Sequence, residues 1–242
     1  CYDLLNFEFL LNCTKLEILN LNYTNIPDLY YLTNLNKLRI LHLYYCLHIL
    51  HYNTIKNLIN LKTLDLADAT IVDITGITLD VIDLNLNSCK KIECFEHLYY
   101  LNRLEYLYLS DTKIMDISIL PTTLLILDLS FCEDIIDFSH IFNLIHLIVL
   151  NLSSTKIIDI SNIINLIYLK EINLEACLEI IDFEPLSELI NVEIINLSHN
   201  SNIVDIFDLS KLQKLINLNL KYCYNIKDHT PLDNITQCKY VL

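Results

Sequence analysis

The feature that most constrains this chain is an internal period. The segment Leu16-x-x-Leu19-x-Leu21-x-x-Thr24-x-Ile26 returns as Leu61, Leu64, Leu66, Ala69, Ile71, and again as Leu104, Leu107, Leu109, Thr112, Ile114. It returns twice more, as Leu147, Leu150, Leu152, Thr155, Ile157 and as Val192, Ile195, Leu197, Asn200, Ile203. Between these runs a second series: Leu38, Leu41, Leu43, Cys46, Ile49, then Val81, Leu84, Leu86, Cys89, Ile92, then Leu124, Leu127, Leu129, Cys132, Ile135. It continues as Leu169, Ile172, Leu174, Cys177, Ile180 and Leu215, Leu218, Leu220, Cys223, Ile226. About ten units therefore follow one another at a spacing of roughly 20 to 23 residues. A unit this short cannot bury its own leucines, so the chain is constrained to stack its repeats.

The two series alternate strictly. The first carries Thr, Ala or Asn at the turn and leads on to Asp then Ile or Leu, as in Asp73-Ile74, Asp116-Ile117 and Asp159-Ile160. The second always carries Cys there, with one extra residue before the next Ile, and usually leads to an aromatic: Tyr52, Phe95, Phe138 and Phe183. Duplication of a two-repeat unit accounts for this more simply than ten independent choices.

Alternate side chains of a strand point to opposite faces, so the two leucines of each Leu-x-Leu enter the core while their neighbours face outward. Adjacent repeats can then pair their short strands in parallel at about 4.8 Å per repeat. The return path, for example Ile157, Ile160, Ile163, Leu166, has a spacing of three that favours a 3₁₀ or loose helical course, which Pro185 and Pro231 suit. Because the return path is bulkier than the strand, the sheet is expected on the inner, concave face. The Thr, Cys or Asn at the turn is placed to bond backbone groups that would otherwise be stranded inside. The expected fold is an α/β solenoid with a curved parallel sheet on the concave face and 3₁₀, short helical or loop segments on the convex face. One array spans residues 1–242 and begins and ends inside a repeat, so a longer parent protein is expected.

With ten motifs in register, nearly the whole chain resembles the leucine-rich repeat superfamily. The first series, as in Thr155-Lys-Ile-Ile-Asp-Ile-Ser-Asn-Ile, resembles the short internalin-type repeat. The second, as in Cys223-Tyr-Asn-Ile-Lys-Asp, is similar at its start to the cysteine-containing repeats of F-box proteins but is shorter. Richness in Ile, Asn, Leu and Tyr with a single Gly suits an AT-rich genome and resembles the leucine-rich gene families of insect poxviruses, which would make this a viral protein. The resemblance implies a protein-binding arc.

Composition narrows the function. Even Phe138 to Leu152, the most apolar stretch, is broken by Ser139, His140, Asn143, His146 and Asn151, so no membrane span is expected. No basic-then-apolar start marks a signal peptide. A formal charge of −14 without a Lys/Arg cluster repels a phosphate backbone, so nucleic acid is not an expected partner. Five of the nine cysteines occupy the turn of every second repeat, about 10 Å apart and beyond bridging distance, and read as free buried thiols. Such thiols favour a reducing, intracellular (cytoplasmic) compartment. Cys89 and Cys94 are close enough in sequence for a bond, but the repeat already accounts for Cys89. His42, Cys46, His48 and His51 are dense enough to suggest a metal, yet the strand and turn should make them diverge. No cofactor, metal site or catalytic residue is expected. The triplets at Asn12, Asn22, Asn151, Asn196 and Asn234 fit the glycosylation pattern, and in an Asn-rich chain most are expected by chance.

Binding is expected on the outward strand residues. The position between the two leucines reads Asn20, His42, Asp65, Asn85, Tyr108, Asp128, Asn151, Asn173, Asn196, Asn219. A ladder of Asn can simply solvate the sheet and bond between neighbours. The middle repeats depart from it, where Asp65, Asp68, Asp83, Asp111 and Asp128 accompany Tyr106, Tyr108 and Phe131. Carboxylates around exposed rings would suit a protein with a basic surface. Tyr23, Tyr44 and Tyr45 beside His42 form a second candidate. The leading function is a protein–protein interaction scaffold or recognition module, and not an enzyme. The alternatives are the substrate-recognition arm of a larger enzyme such as a ubiquitin ligase, or an extracellular adhesion module. An adjoining catalytic or F-box segment would mark the first alternative, and a secretion signal with occupied glycan sites the second.

Overall fold

The computed structural model describes residues 4, 6–235 and 237–242. The chain divides into two compact units, one of Cys1–Ile114 with Ile119–Thr123 and one of Met115–Ser118 with Leu124–Leu242. The first unit holds strands β1 (Ile18–Asn20), β2 (Ile40–His42), β3 (Thr63–Asp65), β4 (Asp83–Asn85) and β5 (Tyr106–Tyr108). They pair in chain order, all parallel, and align Leu19, Leu41, Leu64, Leu84 and Leu107. The second holds β6 (Ile126–Asp128), β7 (Val149–Asn151), β8 (Glu171–Asn173), β9 (Ile194–Asn196), β10 (Asn217–Asn219) and β11 (Lys239–Val241). These are parallel too and align Leu127, Leu150, Ile172, Ile195, Leu218 and Tyr240. From Leu41 to Leu218 every one of these central residues is buried, as the Leu-x-Leu pattern requires. The solenoid expected from the period is therefore the fold of each unit.

Strand β11 lies beyond the ten motifs. Its repeat reads Ile235-x-x-Cys238-x-Tyr240-x-Leu242, one residue shorter than Leu212-x-x-Leu215-x-x-Leu218-x-Leu220, with Cys and Tyr in place of leucines. That substitution and deletion hide it from a search for leucines.

Opposite the strands, the return paths are 3₁₀ turns such as Asn53–Asn57, Glu96–Tyr100, Ser139–Asn143 and Ser161–Asn165. Ile157, Ile160, Ile163 and Leu166 are all buried, so the spacing of three is a core-facing stripe. Pro185 and Pro231 sit in the first turn of Glu184–Glu188 and Thr230–Asn234, where a missing N–H removes nothing. The two shortest repeats, Leu61 to Val81 and Leu104 to Leu124, form no 3₁₀ turn. Phe95 and Phe138 start their turns buried, taking the place that Ile74, Ile117 and Ile160 fill in the other series. In both series an aspartate holds the start of the return path. Asp73, Asp116, Asp137, Asp159, Asp182, Asp205 and Asp228 each accept, through Oδ1, the amide two residues on.

The turn column closes the strand end. Thr24 Oγ1 donates to Leu21 O at 2.8 Å, and Cys46 Sγ of the next repeat donates to the same carbonyl at 3.0 Å. Thr155 and Cys177 repeat this arrangement on Leu152 O. Asn200 spans two repeats, donating to Leu174 O at 2.8 Å and Leu197 O at 2.9 Å. Burial pushes the Cys89 thiol up to about 12 and Cys177 to about 11, which keeps both protonated and able to donate. None of the eight described cysteines, Cys89 and Cys94 included, forms a disulfide.

Just before that column, each of ten repeats holds one non-glycine residue in the left-handed region: Tyr23, Tyr45, Asp68, Ser88, Asp111, Phe131, Ser154, Ala176, His199 and Tyr222, with φ between 53° and 66°. The amide there goes on bonding to the next repeat, as Tyr45 N–H does to Ala67 O at 2.9 Å. The conformation costs about 1–2 kcal/mol per residue, and its recurrence makes it a property of the fold.

Candidate binding face

In the first unit the outward residue before each central leucine reads Ile18, Ile40, Thr63, Asp83, Tyr106, and the one after it Asn20, His42, Asp65, Asn85, Tyr108. Asp83 lies directly across from Tyr106, and Asp65 across from His42 on one side and Asn85 on the other. Asp65, Asp83, Tyr106 and Tyr108 thus share one face of one sheet, as the alternation rule placed them. Asp128 and Phe131 belong to the second unit, on β6 and at the left-handed position after it. Phe131 is 53% exposed.

The column of Asn and Asp has a specific structural task. The side-chain oxygen of Asn20, Asp65, Asn85, Asp128, Asn151, Asn173, Asn196 and Asn219 accepts the amide two residues further along its own strand end, at 2.9–3.1 Å. These bonds lie within each repeat, as the short reach of an Asx side chain favours, and Asn196 adds the expected bond between neighbours, its Nδ2 donating to Glu175 Oε2 at 3.0 Å. His42 and Tyr108 cannot accept the amide in this way. At those two repeats the amide in question, Tyr44 N–H or Ser110 N–H, is taken at 2.8 Å by the side chain of Asn22 or Asn87 in the preceding repeat.

The candidate acids consequently differ in what they can offer. Asp65 uses Oδ1 on Ala67 N–H and sets Oδ2 3.7 Å from His42 Nδ1. Asp128 uses Oδ1 on both the amide and the hydroxyl of Ser130. Asp111 stands 2.6 Å from Lys90 Nζ, so its charge is already answered inside the repeat array. Asp68 and Asp111 also hold left-handed backbone, which explains their polar character without a ligand. Asp83 is different. It is half-buried, and desolvation first, then the charge of Asp65, raises its pKa, with His42 opposing. Ionised at neutral pH, it carries a cost in the folded state that disappears as pH falls through its raised pKa. Asp83→Asn is thus expected to raise the melting temperature at pH 7 by about 1–2 °C, a small effect because the site is half-exposed. Thermal scans should show the gain vanish near pH 4, and a loss of stability at pH 7 would contradict the assignment.

Tyr23, Tyr44 and Tyr45 cluster as expected, with Tyr23 and Tyr44 edge to face at 4.8 Å between ring centroids. The hydrogen bond with Tyr23 and its charge push the Tyr44 hydroxyl to about 12. Cys46 enters the core while His48 and His51 are exposed, so the four-residue cluster around His42 diverges. Asn22, Asn151 and Asn196 spend their side chains on the backbone bonds described above. Among the described residues no helix is long and apolar enough to cross a membrane.

A stack of parallel strands, 3₁₀ returns and outward polar columns defines a repeat solenoid in each unit. The fold is that of a leucine-rich repeat solenoid, shared with the solved structures it resembles. An internalin (inlF) from Listeria monocytogenes shares 28% identity over 97% of this chain and 68% of its own, with a TM-score of 0.80. The ectodomain of the Arabidopsis thaliana receptor kinase GASSHO1/SCHENGEN3, solved in complex with Casparian strip integrity factor 2, shares 20% identity over 97% of this chain and 30% of its own, with a TM-score of 0.72. TLR13 in complex with ssRNA13 shares 20% identity over 93% of this chain and 39% of its own, with a TM-score of 0.64. No protein-family model and no curated protein matches the sequence.

Proposed function

We propose that this chain is a non-enzymatic recognition module that binds another protein with a basic surface through the outward strand residues. The observation that carries the reading is Asp83, a half-buried carboxylate across from Tyr106 that no Lys or Arg answers among the described residues. A destabilised charge beside aromatic rings is relieved when a cation arrives, and the rings supply area at low entropic cost. In the first unit the contact is assigned to Asp65, Asp83, Tyr106 and Tyr108, flanked by Asp68 and Asp111. In the second, Asp128 and Phe131 offer the same pairing of acid and ring. The receptor ectodomain bound to its factor is a precedent for protein binding on this fold. TLR13 is a precedent for RNA, but here the net charge of −14 opposes a phosphate backbone.

The test is affinity capture with the whole chain, followed by titration of the captured protein against Tyr106→Ala with Asp83→Asn. Affinity should fall about tenfold or more, with weaker salt dependence and an unchanged circular dichroism spectrum. Unaltered affinity would discard this face.

A further inference from the structure

A second surface stands out in the second unit. The residue that follows the buried isoleucine after each turn is apolar in five successive repeats, Met115, Ile136, Ile158, Ile181 and Val204, and these are 59–91% exposed. Lys227 ends the run. Single exposed apolar residues need no explanation, but a contiguous row reaching several hundred Å² does. Each member is followed directly by an aspartate, and Asp116, Asp137, Asp159, Asp182 and Asp205 are held in place by the amide two residues on, at 2.7–2.9 Å. Among the described residues none of these five carboxylates pairs with a Lys or Arg. A recess of about 240 Å³ opens on the row, lined by Ile181, Phe183, Val204 and Phe207 with Asp182 and Asp205.

Spacing and charge select the occupant. Repeats advance by about 4.8 Å, whereas same-face residues of an extended strand advance by about 6.6 Å and fall out of step by nearly 2 Å per repeat. One turn of an α-helix advances 5.4 Å and stays within about 0.6 Å of the pitch per repeat. A second copy of this chain related by a two-fold axis would set the carboxylate ladder against itself, and an anionic lipid surface would meet the same repulsion. We infer that the second unit carries an additional docking surface, an apolar ridge edged by carboxylates, that takes an amphipathic helix with a Lys/Arg-rich flank. The helix lays its apolar stripe along the ridge and its cations along the aspartates, with one side chain in the recess. The strand face plays no part in this contact.

The probe is a synthetic Leu/Lys amphipathic helix of about 18 residues, long enough at 1.5 Å per residue to lie along the five repeats. Titrated into the whole chain, it should bind, and a scrambled peptide of the same composition should bind about tenfold more weakly. Ile136→Ser with Ile158→Ser and Ile181→Ser should cost about tenfold without a change in melting temperature, since the positions are exposed. Asp137→Asn with Asp159→Asn keeps the amide caps and should reduce both affinity and its salt dependence. Tyr106→Ala with Asp83→Asn should leave the probe's affinity unchanged, which separates this surface from the strand face. Equal binding of the scrambled peptide would reduce the effect to bulk charge and overturn the proposal. So would full affinity in the serine variant, or a wild-type dimer that the serine variant converts to monomer.

Discussion

Leu150→Ala is expected to destabilise the second unit by about 2–5 kcal/mol, a large part of the about 5–15 kcal/mol that a folded protein typically has. Leu150 is fully buried at the centre of β7, aligned with Leu127 on one side and Ile172 on the other. Removing its isobutyl end takes dispersion contacts from three coils at once and leaves a void that rigid neighbours fill only partly. A stack has no distant contacts to share the loss, so the damage should appear as local opening. Urea titration reads the magnitude, and hydrogen exchange the place: amides of β6, β7 and β8 should lose protection before those of β10. Ile136→Ala, on a residue left 91% exposed, should change stability by less than about 0.5 kcal/mol. Uniform loss of protection would mean that the coils are not energetically neighbour-limited.

What was legible from the residues follows from how local each signal is. Strand alternation placed Leu64 inward and Asp65 outward because the period of two leaves no other choice once the leucines are buried. The thiol at every second turn was readable as structural because it recurred, and Cys46 and Cys177 do bond to the leucine carbonyl of the repeat before. The left-handed column was not readable, since Tyr, Asp, Ser, Phe, Ala and His share no preference for positive φ that composition would reveal. For that reason Asp68, Asp111 and Phe131 looked like free surface choices when their backbone is fixed by the turn. The Lys90–Asp111 pair was hidden by its separation along the chain. The apolar ridge, by contrast, is written in the sequence as an Ile, Met or Val directly before Asp. It went unread because an apolar residue beside a buried isoleucine looks like more core.

Asn22→Ala is expected to cost about 1–2 kcal/mol, and His42→Asn is expected to restore most of it. Eight repeats cap the strand end with their own Asn or Asp, but the repeat of His42 cannot, and Asn22 of the preceding repeat takes its Tyr44 amide at 2.8 Å. With Asn22 truncated, that half-buried N–H loses its acceptor, and an unmade bond costs more than a made one contributes. An asparagine at position 42 would stand where Asn20 and Asn85 stand and accept from Tyr44 within the same repeat. It gives up only the 3.7 Å contact of His42 with Asp65, which is partly exposed and of small worth. The four proteins of this double-mutant cycle, compared by urea titration, should therefore show strong positive coupling between positions in different repeats. Additive losses would mean that Tyr44 does not depend on either side chain. The coupling would account for where the Asn ladder is interrupted: a strand end can give up its own cap, and so present a histidine or tyrosine outward, only where the repeat before it supplies an asparagine one column over.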